Sequence, residues 1–149
     1  PEALEIPYLV PMYDEPEFVV RNIWRLYGGW YSGSPAQLKP PSEAALGAEV
    51  TSLAGGVDAL IARASELSST GDHRLACQII EFATAAEPES HEVHEARAKI
   101  YGARRPAETS LMSKGIYKSA VAESEAVLTG EVPKAKMLFS IGEPDTDLG

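Results

Sequence analysis

Apolar side chains recur at intervals of three and four residues along most of the chain, which is the spacing of an amphipathic helix. The pattern predicts an all-α protein with about six helices. The first helix is predicted from Glu15 to Leu26, with Asp14 as its N-terminal cap and Gly28-Gly29 at its end. Its wide apolar side comprises Val19, Val20, Ile23, Trp24, Leu26, Tyr27 and Trp30. A helix with so wide an apolar side is expected to pack against something large.

Five further helices follow from the same periodicity and from the turn residues between them. They are predicted at about 43–53, 57–69, 73–86, 90–104 and 107–128. Ser42 is the expected cap of the second helix, in which Leu46, Val50 and Leu53 are predicted to lie on one face. The last helix is expected to be broken or closely packed at Gly115.

The middle of the chain has the residue spacing of a tetratricopeptide repeat. With Gly71 at the turn between two helices, small, large and proline residues fall where that repeat has them. These residues are Ala64, Ala76, Ile80, Ala83 and Pro88. The spacing predicts one repeat and the first helix of a second over residues 57–104. Since one and a half repeats cannot bury their own faces, the flanking helices are expected to cover them.

The 149 residues are enough for one domain with its own core. Residues 1–14 contain three prolines without helical periodicity and are predicted to form an extended arm or linker. Residues 15–128 form the predicted helical domain, and residues 129–149 a tail or the start of a following segment. Because the sequence begins with Pro1 rather than methionine, we expect a piece of a longer protein.

The chain is acidic, with 13 Lys and Arg against 22 Asp and Glu and a net charge of −9. That balance argues against nucleic-acid binding, which needs a basic surface, and against an anionic membrane surface. No apolar run approaches the roughly 20 residues of a membrane span. The single cysteine, Cys77, excludes an internal disulfide and is predicted to be a small buried side chain.

An aromatic motif of the form Tyr-x-Gly-Trp-aromatic-x-Gly-x-Pro begins near the end of the first helix. Its fixed positions are Tyr27, Gly29, Trp30, Tyr31, Gly33 and Pro35. The motif resembles the start of the alkyl sulfatase dimerisation domain, found in the middle of the class III alkylsulfatases. The resemblance continues through residues 53–56, 71–79 and 108–120 and covers roughly residues 6–124.

The resemblance implies an all-α domain that joins two copies of a sulfatase into a homodimer. It also implies a second partner, the catalytic domain of the same parent protein. In that family, a metallo-β-lactamase-type domain hydrolyses sulfate esters with two zinc ions held by a His-x-His-x-Asp-His motif. That motif is absent from this sequence, so no cofactor and no catalytic constellation is predicted for the chain itself.

Three residues of the first helix are candidates for contact with sulfate. The resemblance implies that Tyr27 reaches the catalytic pocket, where its phenol would donate a hydrogen bond to a sulfate oxygen. Arg21 and Arg25 are further candidates because guanidinium groups suit tetrahedral oxyanions. The alternatives are a structural ring for Tyr27 and ordinary surface ion pairs for the arginines, with Glu17 four residues before Arg21.

His91 and His94 are conceivable metal ligands, since residues three apart share a helix face. Their spacing differs from the His-Glu-x-x-His zinc motif, and the sequence offers no third ligand nearby. A solvated helix face is therefore the preferred interpretation of both histidines, and no metal site is predicted.

A second function remains open beside the dimerisation domain, namely a tetratricopeptide-like module that binds a partner peptide without a catalytic role. That function needs only the spacing over residues 57–104 and predicts a monomer. The apolar first helix favours self-association instead. The substrate of the parent protein, its cellular compartment and the presence of a following lipid-binding domain are left open by the sequence.

Overall fold

The computed structural model describes residues 12–131, and six α-helices make up most of that range. The helices are α1 (Pro16–Gly28), α2 (Glu43–Ala54), α3 (Val57–Ser69), α4 (His73–Ala86), α5 (His91–Arg104) and α6 (Leu111–Thr129). Short 3-10 turns lie at Pro35–Gln37 and Arg105–Ala107. Since no strand occurs between residues 12 and 131, the prediction of an all-α fold is confirmed.

Side-chain caps fix where four of the helices begin. The oxygens of Ser42, Asp72, Ser90 and Ser110 each accept a hydrogen bond from the backbone N–H three residues later. Each bond satisfies one of the N–H groups that a helix start leaves without an internal partner. These short polar side chains explain why the predicted starts of α2, α4 and α5 agree with the structure to within one residue.

The core lies where α4 packs against α2, α3 and α5, while α6 packs against α5. Its buried residues are Leu60, Ala64, Leu67, Ala76, Cys77, Ile80, Ala83, Val93, Ala96 and Ile100. The four alanines allow the helix axes to approach closely. Cys77 is one of these core residues, as predicted. Ala64, Ala76, Ile80 and Ala83, the residues chosen by the repeat spacing, are fully buried, whereas the repeat unit itself stays a prediction.

Of the three residues predicted to share one face of α2, only Val50 packs against the core, and the helix contacts α4 closely through a glycine. Gly47 is the only buried residue of α2, and Leu46 and Leu53 are exposed. A Cβ at Gly47 would lie 2.8 Å from the carbonyl oxygen of Phe82. The two helices therefore meet backbone against backbone, which turns the leucines out of the core.

The prediction for Gly115 was wrong. Helix α6 runs without interruption from Leu111 to Thr129, and Gly115 is exposed. A Cβ at Gly115 would meet no atom within 4 Å, so the residue neither breaks the helix nor marks a close contact.

A nearly buried arginine joins three helices beside the core. The guanidinium of Arg97 on α5 donates to Glu81 Oε1 on α4 at 2.8 Å. It also donates to the carbonyl oxygen of Ala120 at 2.8 Å and to Ser124 Oγ at 3.1 Å, both on α6. The hydroxyl of Tyr101 donates to the same Glu81 oxygen at 2.8 Å, and this bond adds to burial in raising the pKa of Tyr101. Sequence periodicity did not predict this network.

The division into arm, domain and tail stays a prediction, because residues 1–11 and 132–149 lie outside the described range. Within that range, no single helix is long and apolar enough to cross a membrane. Helices α2 and α3 would reach such a length and hydropathy only as a pair, and that pair is bent by 86°.

Candidate interaction surface

Helix α1 contains no buried residue, although it is strongly amphipathic and has a wide apolar side. Its exposed apolar side chains are Val19, Val20, Ile23, Trp24, Leu26 and Tyr27, hereafter the α1 stripe. Their exposed fractions range from 46% at Val19 to 85% at Tyr27. No described residue covers the stripe, so this apolar side of α1 faces outward.

The orientation of α1 explains this exposure. At about 100° per residue, the stripe spans an arc of roughly 160°, and Glu17, Arg21 and Arg25 lie outside it. Glu17 is half-buried and accepts hydrogen bonds from Arg21 at 2.7 Å and from Arg74 of α4 at 2.8 Å. Phe18, also half-buried, lies on the same polar side of the helix. Helix α1 is therefore attached to its own domain by its polar side. In an isolated amphipathic helix, that side would face water.

The segment before α1 attaches it to the start of α6. The carbonyl oxygens of Met12 and Tyr13 accept hydrogen bonds from the N–H groups of Leu111 at 2.8 Å and Met112 at 3.1 Å. The side chains of Met12 and Tyr13 are nevertheless exposed. This backbone contact satisfies two N–H groups that the first turn of α6 cannot bond internally.

Glu15 completes the attachment of α1 to the start of α6. We call residues Met12–Glu15, together with Ser110 and Ser113, the clasp. One carboxylate oxygen of Glu15 accepts from Ser110 Oγ at 2.6 Å and from Ser113 Oγ at 2.5 Å. These two hydrogen bonds lower the pKa of Glu15 and outweigh partial burial, which acts to raise it, while Arg74 and Arg104 make smaller lowering contributions. The charged carboxylate also lies at the N-terminal end of α6, where the helix dipole stabilises a negative charge.

The clasp corrects the predicted start of α1. The structure places the N-cap at Glu15, whose side chain bonds α6 rather than α1. Asp14, the predicted cap, accepts a hydrogen bond from the N–H of Glu15 at 2.8 Å. Pro16 takes the first helical position, where its missing N–H costs nothing. Sequence patterns did not find the clasp, because its two halves lie 95 and 98 residues apart.

The end of α1 and the aromatic loop after it follow the prediction more closely. Gly28 is the last helical residue, and Gly29 has a φ of 78°, a region that glycine adopts at low cost. Trp30 and Tyr31 pack edge to face with ring centroids 5.9 Å apart. Both rings remain exposed, so the loop extends the apolar surface beyond the helix.

The three predicted sulfate contacts are all exposed but do not converge. Tyr27 lies in the α1 stripe, whereas Arg21 and Arg25 lie roughly 120° and 160° around the helix from it. Arg21 is paired with Glu17, and Arg25 forms no ion pair among residues 12–131. One small anion could not touch all three side chains on a single helix. Their proposed roles stay predictions.

The two histidines of α5 also lie apart. His91 is exposed, whereas His94 is buried with its Nε2 donating to the carbonyl oxygen of Pro88 at 2.7 Å. A shared solvated face was expected, so the prediction for His94 was wrong. Among residues 12–131, no group of three or more His, Cys, Asp or Glu is placed to hold a metal ion.

Comparison with known proteins places these features in a family. A sequence model described as alkyl sulfatase dimerisation matches residues 1–126. The linear primary-alkylsulfatase of a Pseudomonas species is 25% identical over 126 residues, which cover 85% of this chain and 24% of that protein. The alkyl/aryl-sulfatase BDS1 of Saccharomyces cerevisiae is 30% identical over 76 residues, which cover 51% of this chain and 12% of that protein.

A solved structure supports the fold. A double mutant of the sec-alkyl sulfatase PisA1 matches with a TM-score of 0.66 and 22% identity, over 74% of this chain and 17% of that chain. The chain thus spans a quarter or less of the length of each of these similar proteins. Because the family model matches 126 of its 149 residues, this chain belongs to the alkyl sulfatase dimerisation family.

Proposed function

We propose that this chain joins two copies of a sulfate-ester hydrolase whose zinc-dependent catalytic domain lies outside these 149 residues. The outward-facing α1 stripe is the observation that carries the self-association. With Trp30, it exposes on the order of 800 Å² of apolar side chain, taking 150–250 Å² for a whole aromatic side chain. The largest apolar patch of a typical monomer is only about 300–600 Å².

Membership of the dimerisation family supports the same role. Two relatives are named as alkyl or aryl sulfatases, which supports a parent protein with that class of substrate. The hydrolysis itself is assigned to a second domain with two zinc ions.

The first test is the solution mass of the 149-residue chain, measured by light scattering over a hundredfold range of concentration. We expect a dimer at micromolar concentration, because apolar surface of this size is costly in water. A monomer at every concentration would contradict self-association of the chain and would favour the peptide-binding alternative. The chain supplied with zinc and an alkyl sulfate is expected to show no turnover, and turnover would overturn the assignment of catalysis to another domain.

We further propose that Tyr27 contacts the sulfate group at the border with the catalytic domain. The phenol of Tyr27 is the most exposed of the α1 stripe and is free to donate a hydrogen bond to another domain. A donor aimed at a sulfate oxygen stabilises the negative charge that develops on ester cleavage. Arg21 and Arg25 are proposed as weaker, longer-range contributors of positive charge, since they lie on another side of α1.

Replacing Tyr27 by Phe in a protein that carries both domains tests this role. The substitution keeps the ring and removes the donor, so kcat is expected to fall by about 100-fold while the dimer is unchanged. Tyr31→Phe is the matched control, since Tyr31 is also an exposed tyrosine close by in sequence. Equal activity of the Tyr27→Phe variant and the native protein would remove Tyr27 from the site.

A further inference from the structure

The α1 stripe has a graded shape along the helix. Its N-terminal end carries the small β-branched side chains of Val19 and Val20, and its C-terminal end carries the larger Leu26 and Tyr27. Ile23 lies midway between these ends, and at about 100° per residue it lies within roughly 20° of the centre of the arc. The stripe is thus complementary to a reversed copy of itself.

From this shape, which rests on the proposed self-association, we infer that α1 pairs antiparallel with α1 of a second copy across a two-fold axis at Ile23. Counting outward from Ile23, Val19 then faces the ring of Tyr27 of the second copy, and the hydroxyl of Tyr27 extends past this valine toward the catalytic domain. By the same count Val20 faces Leu26, and Asn22 faces Trp24. Each small side chain meets a large one, as dense packing of two helices requires. A parallel pair would set valine against valine and tyrosine against tyrosine.

The size of the stripe fits a second copy of this chain. A stable interface of standard size buries about 800 Å² on each partner, which matches the order of the exposed area here. In a two-fold dimer the same patch serves both partners, so a single self-complementary stripe is sufficient. The chain therefore needs no other surface that is complementary to the α1 stripe.

Charge favours the same occupant. The whole chain carries a net charge of −9, so two copies repel each other over most of their surfaces. The α1 stripe contains no charged residue, and Glu17, the one acid of α1, is paired with Arg21 and Arg74 on the side facing the domain. Two copies can therefore approach along α1 without bringing carboxylates together. The antiparallel arrangement also opposes the two helix dipoles.

A single introduced cysteine tests the axis, since only a residue at a two-fold axis lies opposite itself. Ile23→Cys is expected to form a covalent dimer on mild oxidation or with a short bismaleimide linker. Ile116→Cys on α6 is the matched control, because Ile116 is exposed to 57% and Ile23 to 52%. The native chain, whose only thiol is the buried Cys77, supplies the background.

A second pair of variants measures the interface without crosslinking. Ile23→Glu places a charge at the axis of both copies and is expected to raise the dimer dissociation constant at least 100-fold by light scattering. Ile116→Glu, with the same change in charge, is expected to keep the dimer dissociation constant within threefold of that of the native chain. Circular dichroism confirms that both variants keep their helix content.

The outcomes separate this inference from the proposed function. Crosslinking at position 23 but not at 116, with loss of the dimer in Ile23→Glu, supports the pairing. A dimer that neither crosslinks at position 23 nor responds to Ile23→Glu overturns the pairing while self-association stands, and another segment or domain then covers α1. A native chain that stays monomeric at every concentration overturns both.

Discussion

At the scale of single residues, Glu15 has the largest effect on where the interaction surface lies. Its carboxylate is the acceptor for two serine hydroxyls at the start of α6, while its backbone begins α1. Glu15 thus links the start of α1 to the start of α6 and helps to set the direction in which α1 leaves the domain. Charged acceptors give stronger hydrogen bonds than neutral ones, so the ionised form of Glu15 matters to stability.

Replacing Glu15 by Gln is expected to lower the free energy of unfolding by about 1 kcal/mol at pH 7. The pKa of Glu15 is lowered from 4.5 in the folded chain. The stability it contributes is therefore complete above pH 4.5 and is lost as the pH falls through the lower folded value. The difference between variant and native chain should shrink over that acidic range, measured by urea unfolding at several pH values.

Glu17→Gln is the control for this prediction, and it is expected to change the free energy of unfolding by less than Glu15→Gln does. Glu17 is paired with two largely exposed arginines, and exposed pairs contribute at most about 1 kcal/mol, often nothing measurable. A loss in Glu15→Gln that is the same at pH 3 and pH 7 would contradict the charged role of Glu15.

At this scale, the sequence predicted residues whose signals are local. Ser42 as a cap and Cys77 as a core residue are such cases, and both are confirmed. The partners of Glu15 and Arg97 were missed, because hydrogen bonds between distant helices leave no periodic trace. Asp14 and Glu17 had the pattern of a local cap, but the tertiary contact of Glu15 with α6 moved the cap by one residue.

At the scale of helices, two glycines with opposite surroundings show what spacing alone leaves undetermined. Gly47 lies in a helix contact so close that a Cβ would be 2.8 Å from the Phe82 carbonyl oxygen, whereas Gly115 has open space around it. Both are glycines within predicted helices. Only the packing of α2 on α4 distinguishes them.

Alanine at the two positions is expected to act in opposite directions. Gly47→Ala should lower the free energy of unfolding by about 1–3 kcal/mol, because α2 and α4 would have to separate. Gly115→Ala should raise it by about 0.5–1 kcal/mol, since alanine has the higher helix propensity. Chemical denaturation of both variants measures the two effects. Equal signs would show that the α2–α4 contact is looser than described.

Helix ends were predictable because caps and glycines are local signals, and α3 and α4 have the predicted bounds. Which side of a helix faces the core was harder to predict. In α2 the spacing grouped Val50 with Leu46 and Leu53, but only Val50 packs against the core, while close backbone contact at Gly47 leaves the two leucines exposed. In α1 the apolar side was identified correctly, and no residue of the described range covers it.

At the scale of the whole molecule, the proposed dimer combines an uncharged interface with two acidic domains. Each copy has a net charge of −9, so long-range repulsion opposes association at low ionic strength. Raising sodium chloride from about 0.01 M to 0.1 M shortens the screening length from about 30 Å to 10 Å. The balance between apolar attraction and charge repulsion, and with it the dimer dissociation constant, should therefore depend on salt concentration.

The dimer dissociation constant is expected to fall about threefold over that change, because screening reduces the repulsion more than it affects apolar contact. Light scattering at several chloride concentrations measures it. Sulfate is avoided, since it strengthens apolar association by itself. A dissociation constant that rises with chloride would indicate an interface of ion pairs instead of the α1 stripe.

The fold class and family were predictable at this scale, because helical periodicity and the Tyr27–Pro35 motif are local signals that each occupy a short stretch of sequence. The outward direction of α1 was not predictable. It depends on Arg74 and Ser110, which lie far along the chain from the helix that they hold.

The clasp also fixes an order of events during synthesis. Glu15 has to wait for Ser110, which is translated 95 residues later, roughly 5–20 s at ordinary elongation rates. Throughout that interval the apolar stripe is already made, while the serines that bond Glu15 do not yet exist. The nascent chain thus exposes the α1 stripe before the clasp that orients the helix can form. A chaperone that recognises apolar helices should bind this chain most strongly when synthesis is arrested before α6.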